Sequence, residues 1–225
     1  MIEVYTANTP NGIKIPIALE ELGLEYKLIL LNLGKRDQKS DAFLEINPNG
    51  RIPAIIDHDV LNQQGKPLSI FESGAILLHL AEKAKNLLGK SVQDKTAALE
   101  WLFFQMGGVG PMFGQINYFR GSEKYPSENA VARFVEESNR LLSVLESRLS
   151  SVTWLAGEYY TIADIANYGW LRYAETTGLA LEAYPAVQRW LERVERRPAI
   201  RRGLARVDSP DILFESSLAS LAVQA

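Results

Sequence analysis

Hydrophobic residues recur with two different periods along the first third of the chain. Alternation with period two is typical of a half-buried strand, whereas recurrence every three or four residues is typical of a helix with one apolar face. Thr9 and Pro10 suit the start of the first helix, because threonine caps a helix well and proline fits its first turn. The pattern predicts, in order, a strand over 1–6, a helix ended by Gly23, a strand over 26–32 and a short helix or loop over 39–46.

The stretch over 47–83 predicts a hairpin followed by a helix. Pro53 cannot donate to a sheet ladder, so we place it at the start or edge of the first strand, where a cis peptide bond fits. The backbone of Ile52 is then open to an extended peptide that adds to the sheet edge. The second strand covers 68–70, and the helix begins at Ser73.

Glu72 and Ser73 stand at the start of this helix. The unpaired amides and the dipole of a helix N-terminus both favour an anion there. The carboxylate of Glu72 lies next in the chain and suits an ammonium group. A carboxylate and an ammonium held side by side are the head of an amino acid, so we expect this place to bind one.

From residue 94 onward the pattern is helical, with no convincing strand. Pro111 interrupts one long apolar pattern and should kink that helix. Thr161 and Asp164 have the spacing of a capping box, which makes a structural role for this carboxylate more plausible than a catalytic one. The predicted helices cover 96–119, 127–149, a segment from Thr161 and 185–194; the segment beyond 207 could pack as a helix or fray.

Composition and charge narrow the function classes. The 24 basic and 27 acidic side chains give a net charge of -3, so nothing argues for nucleic acid or an anionic membrane surface. The chain enters a strand pattern directly and has no run of 18 apolar residues, so we expect a cytoplasmic protein. It contains no cysteine, which excludes disulfides, thiolate metal sites and a cysteine nucleophile. Any thiol chemistry must therefore use a thiol that the ligand supplies.

Two other features look like functional motifs and are better explained by packing. The glycines over 107–110 neither follow a strand nor precede the Lys-Ser/Thr pair of a phosphate loop, so a close helix crossing explains them better. His58 and His79 are isolated in the sequence, and His79 falls in an apolar helical run. We therefore expect no metal site.

The motifs IPAI at 52–55 and IFESGAILLHL at 70–80 resemble the glutathione site of the soluble glutathione transferases. Further segments resemble the nu class of that family, whose members are noted for glutathione-dependent disulfide reduction; they cover 9–12, 33–38, 47–49 and 105–115. The resemblance implies an α/β, thioredoxin-like N-terminal domain and an all-α, helical C-terminal domain. The implied ranges are 1–85 and 94–208, followed by a tail over 209–225.

The same resemblance implies which residues bind glutathione. Glu72 and Ser73 would take the γ-glutamyl head, and the backbone of Ile52 the cysteinyl residue. Gln38 and Arg51 would contact other polar parts of the tripeptide. The full set of expected ligands is Asn11, Gln38, Arg51, Ile52, Pro53, Glu72, Ser73 and, from the helical domain of either subunit, Arg133.

Thr9 and Asn11 are the expected catalytic residues. The resemblance places the helix that follows them beside Ile52 and Pro53, so both side chains could hydrogen-bond the sulfur of bound glutathione. A helix N-terminus can lower the pKa of a thiol from about 8.5 to about 7 or below. Tyr5 is the alternative, since other classes of this family use a tyrosine near the end of the first strand. Asn11 could also serve only as a cap, Gln38 and Arg51 only as surface residues.

We therefore expect a glutathione-dependent disulfide-bond oxidoreductase with weaker transferase or peroxidase activity, assembled as a homodimer. Its partners would be glutathione and a small disulfide or electrophile. Two glutathione molecules can perform thiol–disulfide exchange without a protein cysteine. One alternative is a conventional transferase that conjugates electrophiles. The other is a non-catalytic scaffold or regulatory protein, since a fold alone does not fix a function.

Overall fold

The computed structural model describes residues 1–208, which divide into two compact units. Met1–Ala84 and the segment from Pro198 form the first unit, and Lys85–Arg197 form the second. The predicted tail over 209–225 lies outside the described residues. The domain ranges 1–85 and 94–208 stay predictions.

The first unit contains a mixed sheet with helices packed on it. The strands lie in the order β2-β1-β3-β4; β1 and β2 are parallel, and the other neighbours are antiparallel. This arrangement confirms the thioredoxin-like prediction. Its elements are β1 Ile2–Thr6, α1 Lys14–Leu22, β2 Tyr26–Leu30, α2 Asp41–Ile46, β3 Ala54–Leu61, β4 Pro67–Phe71 and α3 Ser73–Ala84.

Proline limits β3 in the way the sequence predicts. Pro53 directly precedes the strand and forms a cis peptide bond with Ile52. Ala54, the first strand residue, pairs with Tyr5 on one side and Phe71 on the other. The residues just before β3 therefore sit at the end of a central strand, close to where α3 begins.

The second unit is built from helices, as predicted. Ser91 caps the first of them and Ser127 caps the longest, each by accepting a hydrogen bond from the first turn. Its helices are α4 Val92–Phe104, α5 Gly110–Gly121, α6 Glu128–Leu149, α7 Ile162–Leu171 and α8 Pro185–Glu195. Over residues 1–208, every helix is either too short or too polar to traverse a lipid bilayer.

The interruption predicted at Pro111 takes the form of a π-helical turn over Gln105–Val109, between α4 and α5. Proline has no N–H for the backbone ladder, and the wider turn absorbs that defect. The glycines here allow close packing between helices: a Cβ on Gly108 would lie 3.3 Å from Leu141 of α6, and one on Gly110 would lie 3.1 Å from Trp170 Nε1 of α7. The close helix crossing is thus confirmed.

The sequence did not predict the last helix, α9 Pro198–Asp208, as a separate element. It belongs to the first unit and packs against α1. A Cβ on Gly203 would lie only 2.7 Å from the backbone nitrogen of Ile17, so glycine permits this close approach. Arg202 also donates to Glu20 of α1 at 2.7 Å, which ties the two helices together at the surface.

Candidate functional site

A small cavity of about 60 Å³ opens in the first unit, where the residues before β3 meet the starts of α1 and α3. Most of the sequence-predicted ligands line it. Thr9 and Gln38 lie outside this lining, and Arg133 belongs to the second unit. The lining residues are Asn11, Asn47, Asn49, Arg51, Ile52, Pro53, Glu72 and Ser73.

Thr9 organises the turn before α1. Its hydroxyl oxygen accepts from the N–H of Gly12 at 3.0 Å, and its carbonyl accepts from Ile13 at 3.1 Å. The helix itself begins at Lys14. Our prediction that Thr9 is the helix N-cap was therefore wrong: threonine caps a preceding turn, because the chain needs that turn to pass from β1 into α1.

Gly12 makes this turn possible. A Cβ there would lie 2.0 Å from the carbonyl oxygen of Ala7 and 2.6 Å from the hydroxyl of Thr6. The Thr6 hydroxyl donates to the Gly12 carbonyl at 2.9 Å, so a hydrogen bond also holds Gly12 close to the end of β1. Any side chain at this position would push the turn, and Asn11 with it, out of place.

Asn11 lines the cavity, and a hydrogen bond from Lys14 holds its side chain. The ammonium of Lys14 donates to Asn11 Oδ1 at 2.8 Å, and also to Ser73 Oγ at 3.3 Å. The same lysine thus contacts both the turn before α1 and the first residue of α3.

The sequence did not single out Lys14, although it is fully buried. Burial lowers its pKa from the ordinary value of 10.5 to about 7, and the charge of Glu72 opposes that shift. A lysine set among isoleucines in an apolar helical pattern was the signal that could have revealed it. Buried lysines are rare without a partner, so such a position calls for an acceptor nearby.

The loop before Ile52 depends on Asn47, another residue outside our predicted set. Asn47 is buried, its amide nitrogen donates to the carbonyl of Arg51, and its oxygen accepts from Asn49 N at 2.9 Å. These bonds hold the backbone ahead of Pro53. The Arg51 side chain is exposed, so it can reach a charged group at the cavity rim.

Glu72 and Ser73 meet at a strained corner. Glu72 has φ of 71°, a left-handed conformation that costs energy for a residue with a Cβ. The corner leaves the Glu72 side chain exposed while Ser73 is buried at the first residue of α3. First-turn N–H groups of a helix have no intrahelical acceptor, so this corner presents a carboxylate beside donors.

Gln38 lies in a short 3₁₀ turn, Asp37–Lys39. Its Oε1 atom is buried and accepts no hydrogen bond from the part of the chain that the structure describes. Buried acceptors normally have a donor, so an unpaired one suits a ligand N–H.

Arg133 lies on α6 with its guanidinium exposed, 3.8 Å from Glu136 and 4.0 Å from Glu137. Such weak surface pairs leave it able to bind another anion.

Tyr5 is not placed to activate a thiol. It is buried in the core beside Phe43 and Ala54, and its hydroxyl donates to Glu3 at 3.0 Å. Burial, and then the charge of Glu3, raise the pKa of the phenol. This tyrosine is therefore a core residue.

The other titratable groups that we considered have structural partners. His79 bonds Asp57 at 2.8 Å, and Lys83 donates to the same carboxylate. Burial alone would raise the pKa of Asp57, but the hydrogen bonds from Lys83 and His79 hold it below its usual value.

Asp164 closes the capping box with Thr161, as predicted. Residues 1–208 hold no cluster of three or more His, Cys, Asp or Glu side chains placed to bind a metal ion.

The chain matches known families over both units. Residues 2–82 match the model for the N-terminal domain of glutathione S-transferase, and residues 104–198 match the model for its C-terminal domain. Among characterised proteins, it is 46% identical over 211 residues to the disulfide-bond oxidoreductase YfcG of Escherichia coli. That alignment covers 94% of this chain and 98% of YfcG.

Solved structures agree with these matches. A glutathione transferase from Burkholderia graminis, with two glutathione molecules bound per subunit, is 43% identical with a TM-score of 0.84; the match covers 93% of this chain and 88% of that one. A glutathione transferase from Pseudomonas putida, with one glutathione disulfide bound per subunit, is 40% identical with a TM-score of 0.82 and 90% coverage of both chains.

Proposed function

Because the chain belongs to the glutathione S-transferase family, we propose that it is a glutathione-dependent disulfide-bond oxidoreductase acting on small disulfides. The observation that carries the proposal is the cavity between Asn11, Ile52 and Ser73, in a chain that has no cysteine of its own. YfcG, which is similar over nearly the whole chain, is named as a disulfide-bond oxidoreductase. Neither a purely conjugating transferase nor a non-catalytic scaffold is favoured by these relatives.

The γ-glutamyl end of glutathione binds at the corner before α3. Its ammonium pairs with the exposed carboxylate of Glu72, and its carboxylate accepts from the Ser73 hydroxyl and the first-turn amides. The cysteinyl residue pairs with the backbone of Ile52, which Pro53 keeps outside the ladder. Arg51 and Gln38 contact the remaining polar groups of the tripeptide.

Thr9 and Asn11 then face the sulfur. The Thr9 oxygen already accepts from Gly12, so its hydroxyl hydrogen is the group that can donate to a thiolate. The Asn11 amide supplies a second donor. Hydrogen bonds to the charged form lower the pKa of a thiol, and neither side chain is a base at neutral pH. The site therefore stabilises the thiolate without removing the proton itself.

The reaction is two successive exchanges. A glutathione thiolate attacks one sulfur of the substrate disulfide, forms a mixed disulfide and releases one substrate thiolate. A second glutathione thiolate attacks the glutathione sulfur of that mixed disulfide and releases the other substrate thiolate, leaving glutathione disulfide. Two thiolates take up two protons, so one disulfide and two glutathiones give two thiols and one glutathione disulfide.

Assembly and location complete the proposal. We infer a homodimer, in which Arg133 balances a carboxylate of bound glutathione or substrate. The same site supports weaker transferase and peroxidase activity, since the thiolate can attack other electrophiles. A cytoplasmic location follows from the chemistry, because the reaction consumes reduced glutathione, which that compartment maintains.

The test is turnover of hydroxyethyl disulfide with glutathione, compared with conjugation of chlorodinitrobenzene. We expect disulfide reduction to be the faster reaction by at least about ten-fold, a difference of about 1.4 kcal/mol in barrier. Glutathione binding without either turnover would instead identify a scaffold, and faster conjugation would identify a conventional transferase. Glu72→Ala should weaken glutathione binding. Glu45→Ala, which removes an exposed carboxylate of α2, is its matched control and should leave glutathione affinity unchanged.

A further inference from the structure

Lys14 is a charged group in a place where packing alone would favour an apolar one. It is the first residue of α1, its side chain is fully buried, and its sequence neighbours Ile13 and Ile15 are buried as well. Removing an ammonium from water is costly unless it is paired and hydrogen-bonded. The structure gives it two oxygen acceptors, Asn11 Oδ1 and Ser73 Oγ, and a nearby carboxylate, Glu72.

The chemistry of these contacts fixes the orientation of both partners. An ammonium can only donate, so the Asn11 amide must turn its oxygen toward Lys14. Its –NH₂ group, on the other branch of the amide, is thereby directed away from the lysine. The same reasoning applies to Ser73: its oxygen accepts from Lys14, so its hydroxyl hydrogen must point elsewhere.

Asn11 and Ser73 belong to different elements, and both line the cavity. On the proposed function, Asn11 serves the sulfur of glutathione and Ser73 serves its γ-glutamyl carboxylate. Both of these ligand groups are anions in the reactive complex, and both need donors. A buried cation behind the two residues also favours negative charge in front of them, since charges interact strongly where water is excluded.

We propose that Lys14 is a positioning residue, which holds the Asn11 amide and the Ser73 hydroxyl so that both present donors to bound glutathione. This inference rests on the proposed function, and it extends the site to a residue that touches no substrate atom. It assigns to one lysine the alignment of the sulfur-binding turn with the carboxylate-binding helix. Binding of an anionic ligand in turn favours the charged form of Lys14.

The first test is Lys14→Met, which keeps most of the volume and removes the donor. We measure the pKa of the thiol of bound glutathione from its ultraviolet thiolate absorbance as a function of pH. The variant should raise that pKa by about one unit; a rise from about 7 to about 8 makes the thiolate fraction at pH 7 about five-fold smaller. kcat for disulfide reduction at pH 7 should fall by a similar factor, while Lys14→Arg, which retains a donor, should recover part of it.

Lys83→Met is the matched control. Lys83 is a partly exposed lysine of the same unit that donates to the buried Asp57. Its loss should lower stability, as a purely structural role for Lys14 would, but leave the thiol pKa of bound glutathione unchanged. A thiol pKa that is the same in wild type, Lys14→Met and Lys83→Met would overturn the inference.

Asn11→Asp tests the same geometry if Lys14→Met does not fold. It keeps an oxygen for Lys14 and removes the –NH₂ group, so it should raise the thiol pKa at least as much. An unchanged value there would also overturn the inference.

The two proposals fail differently: a wild type that binds glutathione with a lowered thiol pKa but reduces no disulfide refutes the proposed function alone. An active Lys14→Met variant with wild-type thiol pKa and rates refutes the role of Lys14 alone.

Discussion

At the scale of single residues, the proposed function assigns binding and activation of glutathione to different side chains. Glu72 presents an exposed carboxylate at a left-handed corner, where it can pair with an ammonium. Thr9 and Asn11 stand on a different segment, the tight turn that Gly12 permits. Substitutions at the two places should therefore alter different kinetic constants.

Thr9→Ala and Asn11→Ala should lower the rate more than the affinity. Losing one hydrogen bond to a charged atom costs about 1.5 to 3 kcal/mol, or roughly ten- to a hundred-fold in disulfide reduction at pH 7. Part of the loss should return at higher pH, where the thiol ionises without help. Glu72→Ala should instead weaken glutathione binding by a comparable free energy, measured by titration calorimetry.

Tyr5→Phe is the control in that series. Its hydroxyl donates to the partly buried Glu3 and not toward a ligand site, so its loss should leave the rate essentially unchanged. The thiolate role would be falsified if Thr9→Ala and Asn11→Ala kept full activity while Tyr5→Phe lost it.

Lys14 should also make stability depend on pH. Burial lowers the pKa of its amine to about 7 in the folded protein, against 10.5 when it is solvated in the unfolded chain. Between these values the unfolded state binds more protons, so stability rises with pH. We expect the free energy of unfolding of wild type, measured with guanidinium in the absence of glutathione, to rise from about pH 7 to about pH 10 relative to that of Lys14→Met. Parallel profiles for the two proteins would show that the amine is not strongly perturbed.

At the scale of elements, the capping box of α7 is the most heavily bonded helix start in the second unit. Asp164 accepts from the backbone N–H of Leu155 and Thr161, at 3.0 and 2.9 Å, and from Trp190 Nε1 at 2.9 Å. The Thr161 hydroxyl is a further donor at 3.3 Å. One buried carboxylate thus joins α7, its preceding loop and α8.

Asp164→Ala should therefore destabilise the protein by roughly 3 to 5 kcal/mol, because it leaves several buried donors without an acceptor. Ser127→Ala removes the cap of α6, which accepts a single bond from Ala130 at 3.2 Å, and should cost about 1 kcal/mol. Guanidinium unfolding of both variants measures the difference. Equal losses would mean that Asp164 contributes no more than an ordinary cap.

At the scale of the whole molecule, apolar exposure on α4 supports the proposed homodimer. Phe103 is 65% exposed and Val92 is 83% exposed. Other residues of α4 and of the turn after it are more enclosed: Trp101 packs edge-on against Phe104 with ring centroids 5.2 Å apart, and Gly108 faces Leu141. An exposed phenylalanine of this kind is better covered by a second subunit.

Sedimentation should show a dimer at micromolar concentration, and Phe103→Glu should shift it toward monomer by placing a charge in an apolar contact. Tyr125→Glu changes an aromatic residue of similar exposure (51%) in the loop before α6 and is the matched control. A monomeric wild type would refute the dimer. A Phe103→Glu variant that dimerises as well as wild type would move the interface away from this part of α4.

The sequence by itself determined the strands, most of the helices and most of the cavity lining. Local signals sufficed where the cause is local: the lack of an N–H at Pro53 set the start of β3, and the box from Thr161 to Asp164 set the start of α7. The position of Glu72 and Ser73 at the start of α3 could be predicted for the same reason, since a helix start is encoded within a few residues.

The tertiary structure decided what depends on residues distant in the chain. Lys14 contacts Ser73, which is 59 positions away, so no local pattern shows that its amine is paired. Tyr5 matches the tyrosine classes by position, but its contact with Phe43 places it in the core. The helix α9 depends on the fit of Gly203 against Ile17, a close approach that neither segment predicts alone. Local propensity is encoded over a few residues, whereas burial and hydrogen-bond partners arise when the chain folds.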